Sequence, residues 1–134
     1  MSVFEVVNPP GLGRPRGFSH GLLAPAGSRV LFVAGQTAAN GDGRIANRGF
    51  AAQFEAALMR ALTVVREAGG TPAHVARMTV FVTDLDGYLS CGEALGRIWR
   101  AHMGTHYPAM ALVEVRRLVD ADATVEIETT AVIP

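Results

Sequence analysis

The sequence predicts an α+β sandwich, with two helices on one face of a mixed β-sheet in the order β-β-α-β-α-β-β. Three observations predict it. Apolar residues recur at i, i+3, i+4 and i+7 spacing from about 49 to 68, as on the buried stripe of an amphipathic helix. Apolar or alternating runs at 29–36, 76–84, 109–117 and 123–133 have the length and period of strands. Helical and extended stretches interleave without a linker or internal repeat, so residues 1–134 form one domain.

Taken in order, residues 2–7 read as a short strand halted by Pro9 and Pro10. "GLGRPRGFSHG" (11–21) is a Gly/Pro/Arg loop placed to cover something; Pro15 and the glycine spacing exclude a dinucleotide fingerprint. "RVLFVAGQ" (29–36) is apolar on both alternating faces, as in a strand buried on both sides. "NGDG" (40–43) is a turn. In the first helix, Phe50, Phe54, Ala57, Leu58, Ala61, Leu62 and Val65 form the stripe, and Gly69, Gly70 and Pro72 stop it. "ARMTVFVTD" (76–84) is the next strand. Residues 86–103 form a second helix, with Tyr88, Leu95, Ile98 and Trp99 inward and Gly104 as its stop. Two last strands, 109–117 and 123–133, are joined by "LVDAD". The helices cover only one face of the sheet, and no remaining segment can cover the other. A second subunit is expected there.

Composition narrows the function. Hydrophobic residues make up 49% of the chain against 18% charged, more apolar material than so small a domain hides alone. Twelve basic and twelve acidic residues cancel, and no basic run stands out, so neither nucleic acid nor an anionic membrane is the expected partner. All 12 basic residues are arginine. Without lysine there is no Schiff-base, pyridoxal-phosphate or P-loop chemistry. The single cysteine, Cys91, excludes an internal disulfide framework. "MSVFEVVNPP" lacks the basic and apolar regions of a signal peptide, and the cytoplasm is the expected location.

Most candidate reactive groups have a structural reading. His102 and His106 are four apart but straddle Gly104, where the helix ends, and Cys91 completes no metal pattern, so no metal site is expected. Ser19 and His20 are adjacent loop polar groups with no nucleophile elbow around them. "VEIETT" (125–130) is more informative. Alternation puts Val125, Ile127 and Thr129 on one face and Glu126, Glu128 and Thr130 on the other. Glu114 and Arg116 repeat the feature on the neighbouring strand, after Met110 and Leu112. A carboxylate at the margin of an apolar strand face suits a general base.

"VAGQT" (33–37), "RMTVFVTDLDGY" (77–88), "YPAMALVEVRRL" (107–118) and "ATVEIETTAV" (123–132) resemble, in order and over nearly the whole chain, the Rid family. These are the reactive intermediate deaminases, YjgF-like proteins once labelled L-PSP endoribonucleases. The resemblance implies a chorismate-mutase-like protomer in a barrel-like homotrimer, with pockets at the subunit interfaces and no cofactor. In deaminating members a pocket arginine clamps the substrate carboxylate, and a last-strand glutamate positions the water that attacks an imine carbon. Carried over residue by residue, the glutamate is Glu126, and Gly35 and Gln36 match. The arginine is replaced by Met110, the pocket tyrosine by Phe18, the serine before Gly-Gln by Ala34, the cysteine two beyond the arginine by Leu112, and the helix asparagine by Gly92. Tyr107 precedes the altered motif, and Arg14, Arg16, His20 and His106 are flanking groups that could replace the lost clamp.

Three functions compete on this reading. The first is a divergent hydrolase or deaminase of an imine or enamine metabolite, with Glu126 as base and a Met110/Phe18 pocket suited to a less acidic or aromatic substrate. Aminomuconate-type deamination in aromatic catabolism fits that pocket. The second is a non-catalytic trimer binding a small ligand or partner protein in the same clefts. The third, ribonuclease activity, has no basic groove or catalytic histidine pair to support it.

Overall fold

The computed structural model describes residues 3–47 and 49–134. Its central sheet has four strands, β3 (Arg29–Gln36), β6 (Val125–Ile133), β4 (Val75–Val82) and β5 (Ala109–Glu114), in that spatial order. β6 runs antiparallel to both neighbours, while β4 and β5 are parallel, so the sheet is mixed. β3 and β4 are therefore parallel to each other, and the last strand is inserted between them. The connection from β3 to β4 is α1 (Phe50–Glu67). That from β4 to β5 carries α2 (Leu85–Ser90) and α3 (Gly92–Met103). Parallel neighbours require such crossovers. No helix is long and apolar enough to cross a membrane, among the described residues.

Strand alternation decides the core. Met78, Val80 and Val82 of β4 and Val125, Ile127 and Ala131 of β6 pack with Ala57, Leu58, Ala61, Leu62 and Val65 of α1 and with Trp99 and Met103 of α3. The other face carries Phe81, Glu126, Glu128 and Val113, and exposes Phe32 (80%) and Val30 (55%). Inside a protomer the helices thus cover one side of the sheet, as the sequence predicts. β3, expected to be buried on both sides, is buried on one only.

Several boundaries differ from expectation: the first strand, expected over 2–7, begins at Glu5, residue 2 lying outside the described residues, and the last begins at Val125. The loop expected at 11–21 gives way at its end to a strand, β2 (Gly21–Leu23), paired antiparallel with β1 (Glu5–Val7). Three residues carry no period of their own; pairing makes them a strand. The helix expected over 86–103 is two helices broken at Cys91, where Ser90, Cys91 and Gly92 adjoin and helix propensity is low. β4 stops at Val82 because Asp84 leaves the sheet to cap α2, its Oδ1 accepting the Gly87 N–H at 3.0 Å. β5 stops at Glu114, short of the expected 117, and Glu114 Oε2 accepts the Leu85 N–H at 2.8 Å. Glu114 is therefore a helix-end partner, and the expected repeat of the Glu126 feature by Glu114 and Arg116 does not exist: Glu114 pairs with Val82, which faces the helices.

Candidate functional site

Two groups of residues stand out, on opposite faces of one sheet. The first surrounds Glu126. Between Val33 and Gln36, β3 advances three residues while β6 advances two, from Thr129 to Ile127, which is a β-bulge at Ala34-Gly35. The bulge brings the Gly35 backbone against the Glu126 side chain. A Cβ on Gly35 would sit 2.5 Å from Glu126 Oε1 and 2.9 Å from its Cδ, so any larger residue must displace the carboxylate. Gln36 is committed to holding this turn: its Nε2 donates to Ala34 O at 3.1 Å and its Oε1 accepts from Arg60 Nε at 3.2 Å. Arg60 Nη1 also donates to Ala39 O at 2.6 Å, tying α1 to the segment after the bulge. Glu126 is half-buried, makes no hydrogen bond with the described residues, and so keeps both oxygens for a ligand or water.

The second group lines a cavity of about 360 Å³ between β5 and the α2–α3 pair. Met110 and Leu112 form one wall, Tyr88, Leu95 and Trp99 the helical wall, Phe54 and Val80 lie behind, and Gly17 brings the N-terminal loop to the rim. No charged side chain lines it, and its volume is in the range of small-molecule sites. Tyr107 stacks on Trp99 with centroids 5.9 Å apart and planes within 8°. Trp99 is fixed in turn by its Nε1–H donating to His106 O at 3.1 Å.

Pairing shows how these groups relate. Met110 lies beside Met78 and through it Thr129, all on the helix side. Glu126 lies beside Phe81 and through it Val113, on the other side. Of the residues singled out in the sequence, Tyr107, Met110 and Leu112 therefore meet at the cavity. Ala34, Gly35, Gln36 and Glu126 meet at the bulge, and the sheet separates the two sets within a protomer.

The remaining candidates hold backbone. His106 Nε2 contacts Val75 O at 2.7 Å and its ring stacks on Phe4, while His20 Nε2 contacts Gly13 O at 3.1 Å and its own N–H donates to Asn8 at 2.7 Å. Phe18 packs edge-on against His20 at 5.2 Å and does not line the cavity; its neighbour Gly17 does. Ser19 anchors this loop, its N–H donating to Pro108 O at 3.0 Å and its Oγ to Tyr107 O at 2.6 Å. His102 lies 2.8 Å from Glu55 and joins α3 to α1. Sequence reasoning took Tyr88, Leu95 and Trp99 for plain core. The signal it passed over is the glycine row Gly92–Gly96, which leaves that helix face open at the cavity.

The Endoribonuclease L-PSP family model matches residues 16–133. A RutC family protein of Pasteurella multocida is 30% identical over 103 residues, covering 77% of this chain and 79% of that protein. TdcF of Escherichia coli, described as a candidate reactive intermediate deaminase, is 34% identical over 80 residues; that match spans 60% of each chain. Among solved structures, the Rid-family protein YyfB of Yersinia pestis superposes with a TM-score of 0.84 at 31% identity, over 96% of this chain and 98% of that one. The E. coli TdcF structure with bound serine gives 0.69 at 28% identity, over the whole of both chains. A family match over most of the chain, joined to this sheet order, makes the protein a member of the Rid, or YjgF-like L-PSP, family.

Proposed function

We propose that the protein is a divergent deaminase that hydrolyses the C=N bond of an imine or enamine metabolite, at sites built between the copies of a cytoplasmic homotrimer. The observation that carries this reading is the Glu126 carboxylate seated on Gly35 with both oxygens uncommitted. Glu126 takes a proton from water as the oxygen attacks the imine carbon, and the nitrogen is protonated. The resulting carbinolamine collapses, the carboxylate relaying its hydroxyl proton to the nitrogen so that the C–N bond breaks with ammonia as the leaving group. Ammonia and a carbonyl product leave, and no metal or cofactor is needed.

The ligand chamber of this reading is the Met110/Leu112 cavity, walled by Tyr88 and Trp99. Because Glu126 lies across the sheet from it, base and chamber meet only when they come from different copies. The exposed Val30 and Phe32, on the same sheet face as Glu126, supply the surface that a second copy covers. Met110 offers a thioether where a carboxylate clamp would stand, which suits an aromatic or conjugated metabolite of the aminomuconate type. The TdcF structure holds serine, a small metabolite on the same fold. Twelve acidic residues against twelve basic ones speak for a metabolite over RNA.

Ammonia release across imines generated in situ from amino acids and amines tests the reading. Glu126→Gln keeps size and hydrogen bonding but removes the base, and should slow the reaction roughly 10²–10⁴-fold. The mass by light scattering should stay near three times the 14.1 kDa protomer. Glu128→Gln, one repeat along the same face and exposed, should cost far less. Undiminished turnover by Glu126→Gln would sink the mechanism. A second reading, a trimer that binds without catalysis, is favoured by the lack of any charged group in the cavity lining; it requires ligand binding with no ammonia from any imine.

A further inference from the structure

The cavity lacks a charged wall, but a cation stands at its edge. Gly92, Gly96 and Arg100 form one i, i+4 row along α3, and both glycines line the cavity. Helical side chains lean toward the N-terminus, so Arg100 lies back over the preceding turn. A Cβ on Gly96 would meet Arg100 Nη1 at 3.3 Å, Nη2 at 3.7 Å and Cζ at 3.9 Å, so the guanidinium lies along the bare glycine that forms part of the lining. The Arg100 guanidinium forms no ion pair or hydrogen bond with the described residues. Arg14, Arg16 and Arg100 are all exposed, but of the three Arg100 is the one that lies along a glycine lining the cavity.

We infer that Arg100 is the anion receptor of this chamber, and that its ligand is an aryl or conjugated acid. The flat apolar part lies between Met110 and Trp99, and the carboxylate reaches out over Gly96 to the guanidinium. A planar fork suits a carboxylate, and glycine at 96 lets ligand and arginine approach the helix together. The lost β5 arginine is thereby replaced from a helix, farther out, so the ligand must be longer than a short 2-imino acid. This inference rests on the cavity being the ligand chamber, not on Glu126 or on catalysis.

Trp99 is the only tryptophan and lines the cavity, so its fluorescence reports occupancy of the intact protein at equilibrium. Phenylacetate should bind the wild type about tenfold more tightly than phenylacetamide, its neutral counterpart. Arg100→Gln should abolish that preference and leave phenylacetamide binding unchanged, whereas Arg97→Gln, on the same helix but off the glycine row, should retain it. Gly96→Ala, whose methyl crowds the guanidinium, should weaken phenylacetate more than phenylacetamide. Equal binding of the two probes by the wild type, or an undiminished preference in Arg100→Gln, overturns the inference. Glu126→Gln, which removes a negative charge, should not diminish the preference for phenylacetate, so loss of the proposed catalysis and loss of this receptor read out separately.

Discussion

Gly35 and Glu126 occupy one volume between them. The glutamate's Oε1, Cδ and Cγ fill the space where a Cβ on residue 35 would stand, and the bulge in β3 makes that approach possible. Gly35→Ala should therefore act on the carboxylate rather than the fold. The displaced group is the end of a flexible, half-buried side chain, so the unfolding free energy from urea denaturation should fall by no more than about 1 kcal/mol. Ammonia release should fall by roughly 10²-fold or more, because a base moved by an ångström no longer reaches the attacking water. Normal turnover alongside normal stability would separate the bulge from the chemistry. At this scale the sequence was partly legible. Alternation set Glu126 apart from Val125 and Ile127, and the family likeness marked Gly35. Nothing local in "YPAM" tells which face Met110 takes relative to Glu126, since that depends on the register between β5, β4 and β6.

Among the elements, those with a long period were readable and those made by contacts were not. The eighteen residues of α1 carry several turns of apolar stripe, and β6 alternates over nine, so both fall close to expectation. β2 has three residues and exists through its partner β1, and the α2–α3 break sits at three weak helix formers inside a run that otherwise reads as continuous. The break orients the cavity wall, because α2 brings Tyr88 and α3 brings Gly92, Leu95 and Trp99. α2 has only six residues and depends on its start, where Asp84 receives the Gly87 N–H and Glu114 that of Leu85. Asp84→Ala should cost about 1 kcal/mol, read as a lower urea midpoint with unchanged m-value. A cost near zero would mean that Glu114 alone holds the turn.

For the molecule as a whole, the sheet's two sides have different duties. Helices cover one, and the other leaves Val30, Phe32 and Val113 in solvent. The sequence foretold an uncovered apolar face from the count of elements, and the exposed residues on it agree. It could not show that the sheet also stands as a wall between the carboxylate at the bulge and the aromatic cavity.

In the proposed trimer, that wall would make each chain half of two different workplaces. Every copy would give its carboxylate to one neighbour and receive another's in its own chamber, so two crippled chains should repair each other. Gly92→Phe should plug the chamber, since a Cβ at 92 meets nothing within 4 Å and the residue lines the cavity, yet leave Glu126 intact. Co-expressed in equal amounts with Glu126→Gln, it should yield mixed rings in which one site in three, or about one in four over all rings, joins a sound chamber to a sound carboxylate. Activity from two inactive parents would come only from such shared sites; silence from the mixed rings would mean that each chain works alone.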